Sequence, residues 1–179
     1  MTLEDFKNWT DIISSTLTSL SIIIGGSWVV YRFILQQERY PNINFSTDIN
    51  VIGIQDGHWI VELIALVENK GKAQHRMKDF GFSLNVMFAN DKVETKEKWG
   101  GQVDFPTKLA GGSYLPKHLT YFFIDPGTIA KYSFITKIPE NASFAILHSN
   151  FAYDNRKGYM HTAERTINLT KISTKLSAL

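Results

Sequence analysis

The sequence predicts a mainly β chain, in which an N-terminal transmembrane α-helix is followed by an antiparallel β-sandwich. Three observations carry this. Residues 12–31 hold no charged side chain. After Pro41 the apolar residues begin to alternate with a period of two, the mark of strands with one buried face. Turn signals such as Asp56-Gly57 and Pro126-Gly127 recur between the alternating runs, as they do between the short strands of a sandwich.

The chain of 179 residues has room for one ordinary domain and an appendage. We divide it into residues 1–40 (the helix and its flanks), 41–172 (the sandwich) and 173–179 (a C-terminal tail). A hydrophobic content of 44% with 20% charged residues describes a folded chain rather than a disordered one. The net charge is +2, with basic residues scattered, so direct nucleic-acid binding is not expected. The absence of cysteine excludes disulfides, thiolate metal sites and a cysteine nucleophile.

The apolar stretch extends to residue 35 with Arg32 as its single charge, long enough to cross a hydrocarbon core about 30 Å thick. Trp9 stands at one end, and Trp28, Tyr31 and Arg32 at the other. Aromatic rings settle at the membrane interface, and an arginine reaches headgroups along its own stem. We expect a helix from about residue 3 to residue 39, ended by Tyr40-Pro41, because the residue before a proline disfavours helix. The acidic N-terminal flank (Glu4, Asp5 and Asp11 against Lys7) and the length argue against a cleaved signal peptide. Arg32 and Arg39 follow the span, so the positive-inside tendency places the sandwich in the cytoplasm, behind a single pass through the cell inner membrane.

One face of this helix is small and polar. Ser14, Thr18, Ser21 and Gly25 fall with Asp11, Val29 and Arg32 within an arc of about 80°. The opposite side is aliphatic. Small residues let helices approach closely, and hydroxyls bond across the contact. The same hydroxyls also bond to their own helix. Lateral self-association is the functional expectation, and a plain lipid anchor is the bland one.

Residues 42–51 alternate apolar and polar with one lapse, at Thr47. Asp56-Gly57 turns the chain into a second strand over 58–68, which Asn69-Lys70-Gly71 ends. Residues 80–88 alternate again. Residues 89–112 read as a long loop with a short edge strand near 102–105. Further strands are expected at 121–124, 130–137, 143–153 and 159–169. Tyr121-Phe122-Phe123 suggests a strand buried on both sides. No helical periodicity is visible after Pro41.

Val67-Glu68-Asn69-Lys70-Gly71, with Pro126-Gly127 ahead of Tyr132-Ser133-Phe134, resembles bacterial immunoglobulin-like modules of the CARDB type. The likeness would cover residues 42–170 and implies an immunoglobulin-like sandwich with a role in contact. The 89–112 segment departs from the short connection of that pattern.

No catalytic, cofactor-binding or metal-ligating constellation stands out. The histidines lack the i, i+4 spacing of a helical zinc site, and the glycine pairs lack a phosphate-loop context. His148 and His161 could face one another across the last hairpin, where a pair would bind metal or sense pH. The expected function is therefore non-enzymatic: a protein held in membrane lipid whose sandwich binds a protein partner. In layout alone it resembles the small membrane effectors of anti-phage defence systems such as retrons, which implies an effector that perturbs the inner membrane. The alternative is a structural or accessory subunit of a bacterial envelope complex.

Overall fold

The computed structural model describes residues 3–32, 40–97, 100–153 and 159–176. It bears out the fold class: one long apolar helix, α1 (Leu3–Val30), precedes an antiparallel β domain. The part of the expected helix beyond residue 32 lies outside the described residues.

The domain is built from β1 (Ile43–Gln55), β2 (His58–Asn69), β3 (His75–Phe88), β4 (Thr95–Lys96), β5 (Gln102–Val103), β6 (Thr107–Ser113), β7 (Tyr121–Ile124), β8 (Ile129–Pro139), β9 (Ala142–Tyr153) and β10 (Met160–Asn168), closed by a helix α2 (Leu169–Leu176). One sheet runs β1-β2-β8 and the other β10-β9-β3-β6, with β7 also on β3. With the first two strands in one sheet and β3, β9 and β10 in the other, the chain follows the Greek-key path of immunoglobulin-like sandwiches.

The core lies between these sheets. Phe45 and Tyr132 of the first meet Phe80, Phe122 and Phe151 of the second, with ring centroids 4.9 Å apart for Phe45–Phe151, 5.0 Å for Phe80–Tyr132 and 5.2 Å for Phe122–Tyr132. Such ring pairs add about 0.5–1.5 kcal/mol each beyond their burial. Thr47, the lapse in the first alternation, points inward and is buried. Its hydroxyl reaches Ile64 O at 2.7 Å and Ser149 Oγ at 2.9 Å, and Tyr114 Oη lies 3.0 Å from the same Ser149. Burial raises the Tyr114 phenol above its ordinary pKa of 10.0 against these two hydroxyls, and burial alone raises Tyr132.

Two turn signals of the sequence meet in space. Asn69 is fully buried. Its Nδ2 donates to Ala73 O at 2.8 Å and Ile124 O at 3.1 Å, and its Oδ1 accepts from Gly71 N at 2.9 Å. Its backbone N–H donates to Thr128 O, and its carbonyl accepts from Gly127 N. One asparagine, through its side-chain amide and its backbone, thus holds the β2–β3 turn, the end of β7 and the Pro126-Gly127 turn together. Gly127 suits that turn because its φ of +71° is open to glycine without steric cost.

The structure corrects four expectations. Strand β3 starts at His75, not Phe80. Two residues, Asp79 and Phe80, stand opposite one on β9, and Asp79 has a φ of 54°. This bulge shifts the alternation, so Met77 and Phe80 both face inward and the upstream half loses its period. The 89–112 segment contains a full strand, β6. Ala110, Gly111 and Gly112 have no long side chains to display a period, yet Gly112 pairs with Phe82. The segment 121–124 is buried on one side only: Phe122 and Ile124 are covered, whereas Phe123 is 51% exposed. A helix does follow Pro41. Asn168 Oδ1 accepts from Lys171 N at 3.0 Å, an N-cap, and Leu169 is buried. This α2 runs across the expected boundary at 172.

Candidate functional site

The excursion between β3 and β6 folds over the outer face of the larger sheet. Its short hairpin β4–β5 pairs Lys96 with Gln102 and leaves a groove of about 500 Å³ against β3, β9 and β10. Val103, Phe105 and Ile146 supply apolar walls, and Ser83, Asn85, His148 and Glu164 line the sheet side. A volume of this size takes a small ligand or a few side chains of a partner.

Register explains the polar row. His148 stands opposite Ser83 on β3 and opposite Glu164 on β10, so the three share one face of the sheet. His148 Nδ1 lies 3.0 Å from Glu164 Oε1, and Gln102 Nε2 donates to Glu164 Oε2 at 3.1 Å. Glu164 therefore joins the hairpin to the sheet. Asn85 adds a second tie by donating to Phe105 O at 3.1 Å. An ion pair of 2.7 Å between Lys96 and Asp104 braces the hairpin.

Serine, histidine and glutamate in one row invite comparison with a nucleophilic triad, but the bonding differs. Ser83 donates its proton to Asn85 Oδ1 at 2.9 Å, away from the imidazole, whereas a triad needs the serine bonded to its base. The amide nitrogen of Asn85 is engaged by Phe105, and that of Asn150 by Asp79 O at 3.1 Å. The row suits recognition by hydrogen bonds.

The histidine pair that the last hairpin could have formed does not form. His161 is opposite Phe151, three places along β9 from His148, and an odd offset puts the two on opposite faces. His161 stacks on Phe151 at 5.2 Å, and burial lowers its pKa below 6.5. Among the described residues no three His, Cys, Asp or Glu side chains gather as metal ligands.

On α1 and the two residues after it, every residue from Lys7 to Arg32 is exposed. This includes Ser14, Thr18, Ser21 and Gly25 of the small face and the interface residues Trp9, Trp28, Tyr31 and Arg32. Thr18 donates to Ser14 O and Ser21 to Leu17 O, both at 2.8 Å. A Cβ on Gly25 would meet nothing within 4 Å. Trp28 and Tyr31 pack ring to ring at 6.1 Å. The sequence displayed this stripe openly. It gave no sign of the groove, whose residues lie on strands distant in sequence.

No family model matches the chain, and no curated protein matches it. Several solved structures are similar in fold. The structural-genomics target SoR45 has 13% identity over 71% of this chain and 84% of its own, with a TM-score of 0.42. A protein from Bordetella pertussis assigned as ApaA has 10% identity over 72% and 94%, with a TM-score of 0.46. A Bacteroides uniformis beta-glucuronidase has 8% identity over 70% of this chain and 14% of its own, with a TM-score of 0.43. Likeness at this level says nothing about activity. By its own strand order the β domain is a sandwich of immunoglobulin-like kind, and it follows an N-terminal apolar helix whose length and composition fit a membrane span and a signal sequence alike.

Proposed function

We propose that this is a non-enzymatic single-pass protein of the inner membrane, held by α1, whose sandwich binds a protein partner in the cytoplasm. One observation supports the anchor above all. The 24 residues Lys7–Val30 form an apolar helix of which none is buried. A soluble fold does not leave so much contiguous apolar surface in water, and a bilayer covers it. The groove under β4–β5 supports the binding role, because its polar row is held in place by bonds to the hairpin and offers contacts without a reaction.

The test is extraction of membranes at alkaline pH, with the N-terminus of the recovered chain sequenced. The anchor reading expects the full chain in the pellet. Release of the full chain into the supernatant would remove the anchor, and a mature chain that begins after α1 would replace it with a signal sequence.

The sharper form of the proposal is an effector that perturbs the membrane through laterally associated helices. The exposed Ser14–Gly25 stripe is its support. High expression should then slow growth and admit an otherwise excluded dye, and Gly25→Leu should relieve both. Normal growth and dye exclusion would leave the anchor and remove the effector.

A further inference from the structure

We infer that the end of the sandwich nearest α1 is itself a bilayer-contact surface, matched to anionic lipid headgroups. The inference rests on the anchor reading above and adds a second membrane contact to it. Topology defines this end. The chain enters it at Tyr40, and β1 begins there at Ile43 opposite Asn69. The start of β3, the end of β7 and the start of β10 meet at the same end, with His75 opposite Ile124 and Met160 opposite Ala152. The tether is short. Eight steps separate Arg32 from Tyr40, so even a fully extended chain spans about 28 Å between them. If α1 lies in the bilayer, this end stays close to its surface.

The chemistry of the end fits that position. Tyr40, Phe123, Ile129 and Tyr159 are 48%, 51%, 66% and 61% exposed. Phe123 lies 5.5 Å from Tyr121, over which the Arg76 guanidinium sits at 3.8 Å. Residues 68–79 and 121–131 hold five lysines or arginines against three carboxylates. The opposite end, with residues 52–58, 89–93, 139–141 and 169–176, holds three lysines against three carboxylates. Rings with basic neighbours are the composition that headgroup regions favour, and basic side chains are drawn to anionic leaflets. A protein partner would not require this asymmetry to point at the tether.

The test uses the full chain reconstituted in vesicles of phosphatidylcholine, with and without phosphatidylglycerol, and reads amide hydrogen exchange by segment. Residues 70–78 and 121–129 should exchange about tenfold more slowly on anionic vesicles, which corresponds to about 1.4 kcal/mol, and added salt should diminish the slowing. Phe123→Ser with Tyr159→Ser should abolish it, and Lys72→Glu should reduce it. Unchanged protection of β9 in the variants would show that they fold. Equal exchange on both vesicles, or slowing at the opposite end, would overturn the proposal. Alkaline extraction separates the two readings. A chain that washes off loses the anchor and this surface together, whereas a retained chain with an unprotected end loses only this surface.

Discussion

The helix and the sandwich solve the same problem in opposite ways. Both carry long apolar residues and hydroxyls. In the sandwich, Trp59, Phe80 and Phe151 are buried by other parts of the chain, and the hydroxyls of Thr47, Ser149 and Tyr114 bond to one another across the core. In α1, Ile22, Ile23 and Ile24 are 64–70% exposed, and Thr18 and Ser21 bond within their own helix. A region that is self-sufficient in hydrogen bonds yet uncovered in its apolar surface is suited to a solvent without water. The difference teaches that the described fold leaves α1 uncovered.

Substitutions can break or sharpen that contrast. Phe151→Ala should have the largest effect, lowering the stability of the sandwich by about 3–5 kcal/mol. Chemical denaturation followed by tyrosine and tryptophan fluorescence would read it, while retention in membranes should hold. Ile23→Arg should do the reverse. A charge at the centre of a span costs about 2.5–3.5 kcal/mol of insertion, so membrane retention should fall with the midpoint of sandwich unfolding unchanged. Loss of both together would mean that α1 packs on the sandwich.

The hydroxyls give a smaller contrast. Ser149→Ala removes one partner from a buried network and should cost the sandwich about 1–3 kcal/mol. Ser21→Ala should change neither unfolding nor retention measurably, because its partner is its own helix backbone.

The pH dependence should be asymmetric and smaller still. Tyr114 and Tyr132 have phenols raised above 10.0 by burial. The stability they contribute is complete below that ordinary value and is lost as pH rises through the raised ones. Tyr132→Phe should therefore flatten part of the alkaline loss. Glu62 and Glu68 are lowered from 4.5, the first chiefly by its hydrogen bond with Lys131 and the second by that with Asn44. Their contribution is present above 4.5 and fades as pH falls through the lowered values. Both are half-buried but pair with exposed lysines, Lys131 and Lys70, and such pairs near the surface contribute little, so Glu62→Gln with Glu68→Gln should change the acid slope only slightly.

Much of the fold was legible because period and punctuation are local. The β1–β2 hairpin follows from Asp56-Gly57, where Asp56 has a φ of 50° and Gly57 of 68°. Strands β7 to β10 follow from short runs of β-forming residues between turn signals. The missed parts were those where the signal depends on distant partners. The bulge at Asp79 is stabilised by Asn150 from another strand. Gly111-Gly112 forms a strand because β3 offers it an edge. The groove required register between β3, β9 and β10, which no single segment displays. Thr47 looked like a flaw in a pattern until Ser149, 102 residues away, supplied its partner.

The strand that follows the helix has a mechanical consequence. β1 enters at the end nearest α1, and β10 leads to α2 at the opposite end. β1 is held to β2 from Ile43 to Gln55 with one irregularity, by bonds that lie across the strand axis. Tension between a fixed helix and a partner holding the C-terminus would pull along that axis. Many ladder bonds would then bear the load at once, in shear, instead of opening one after another.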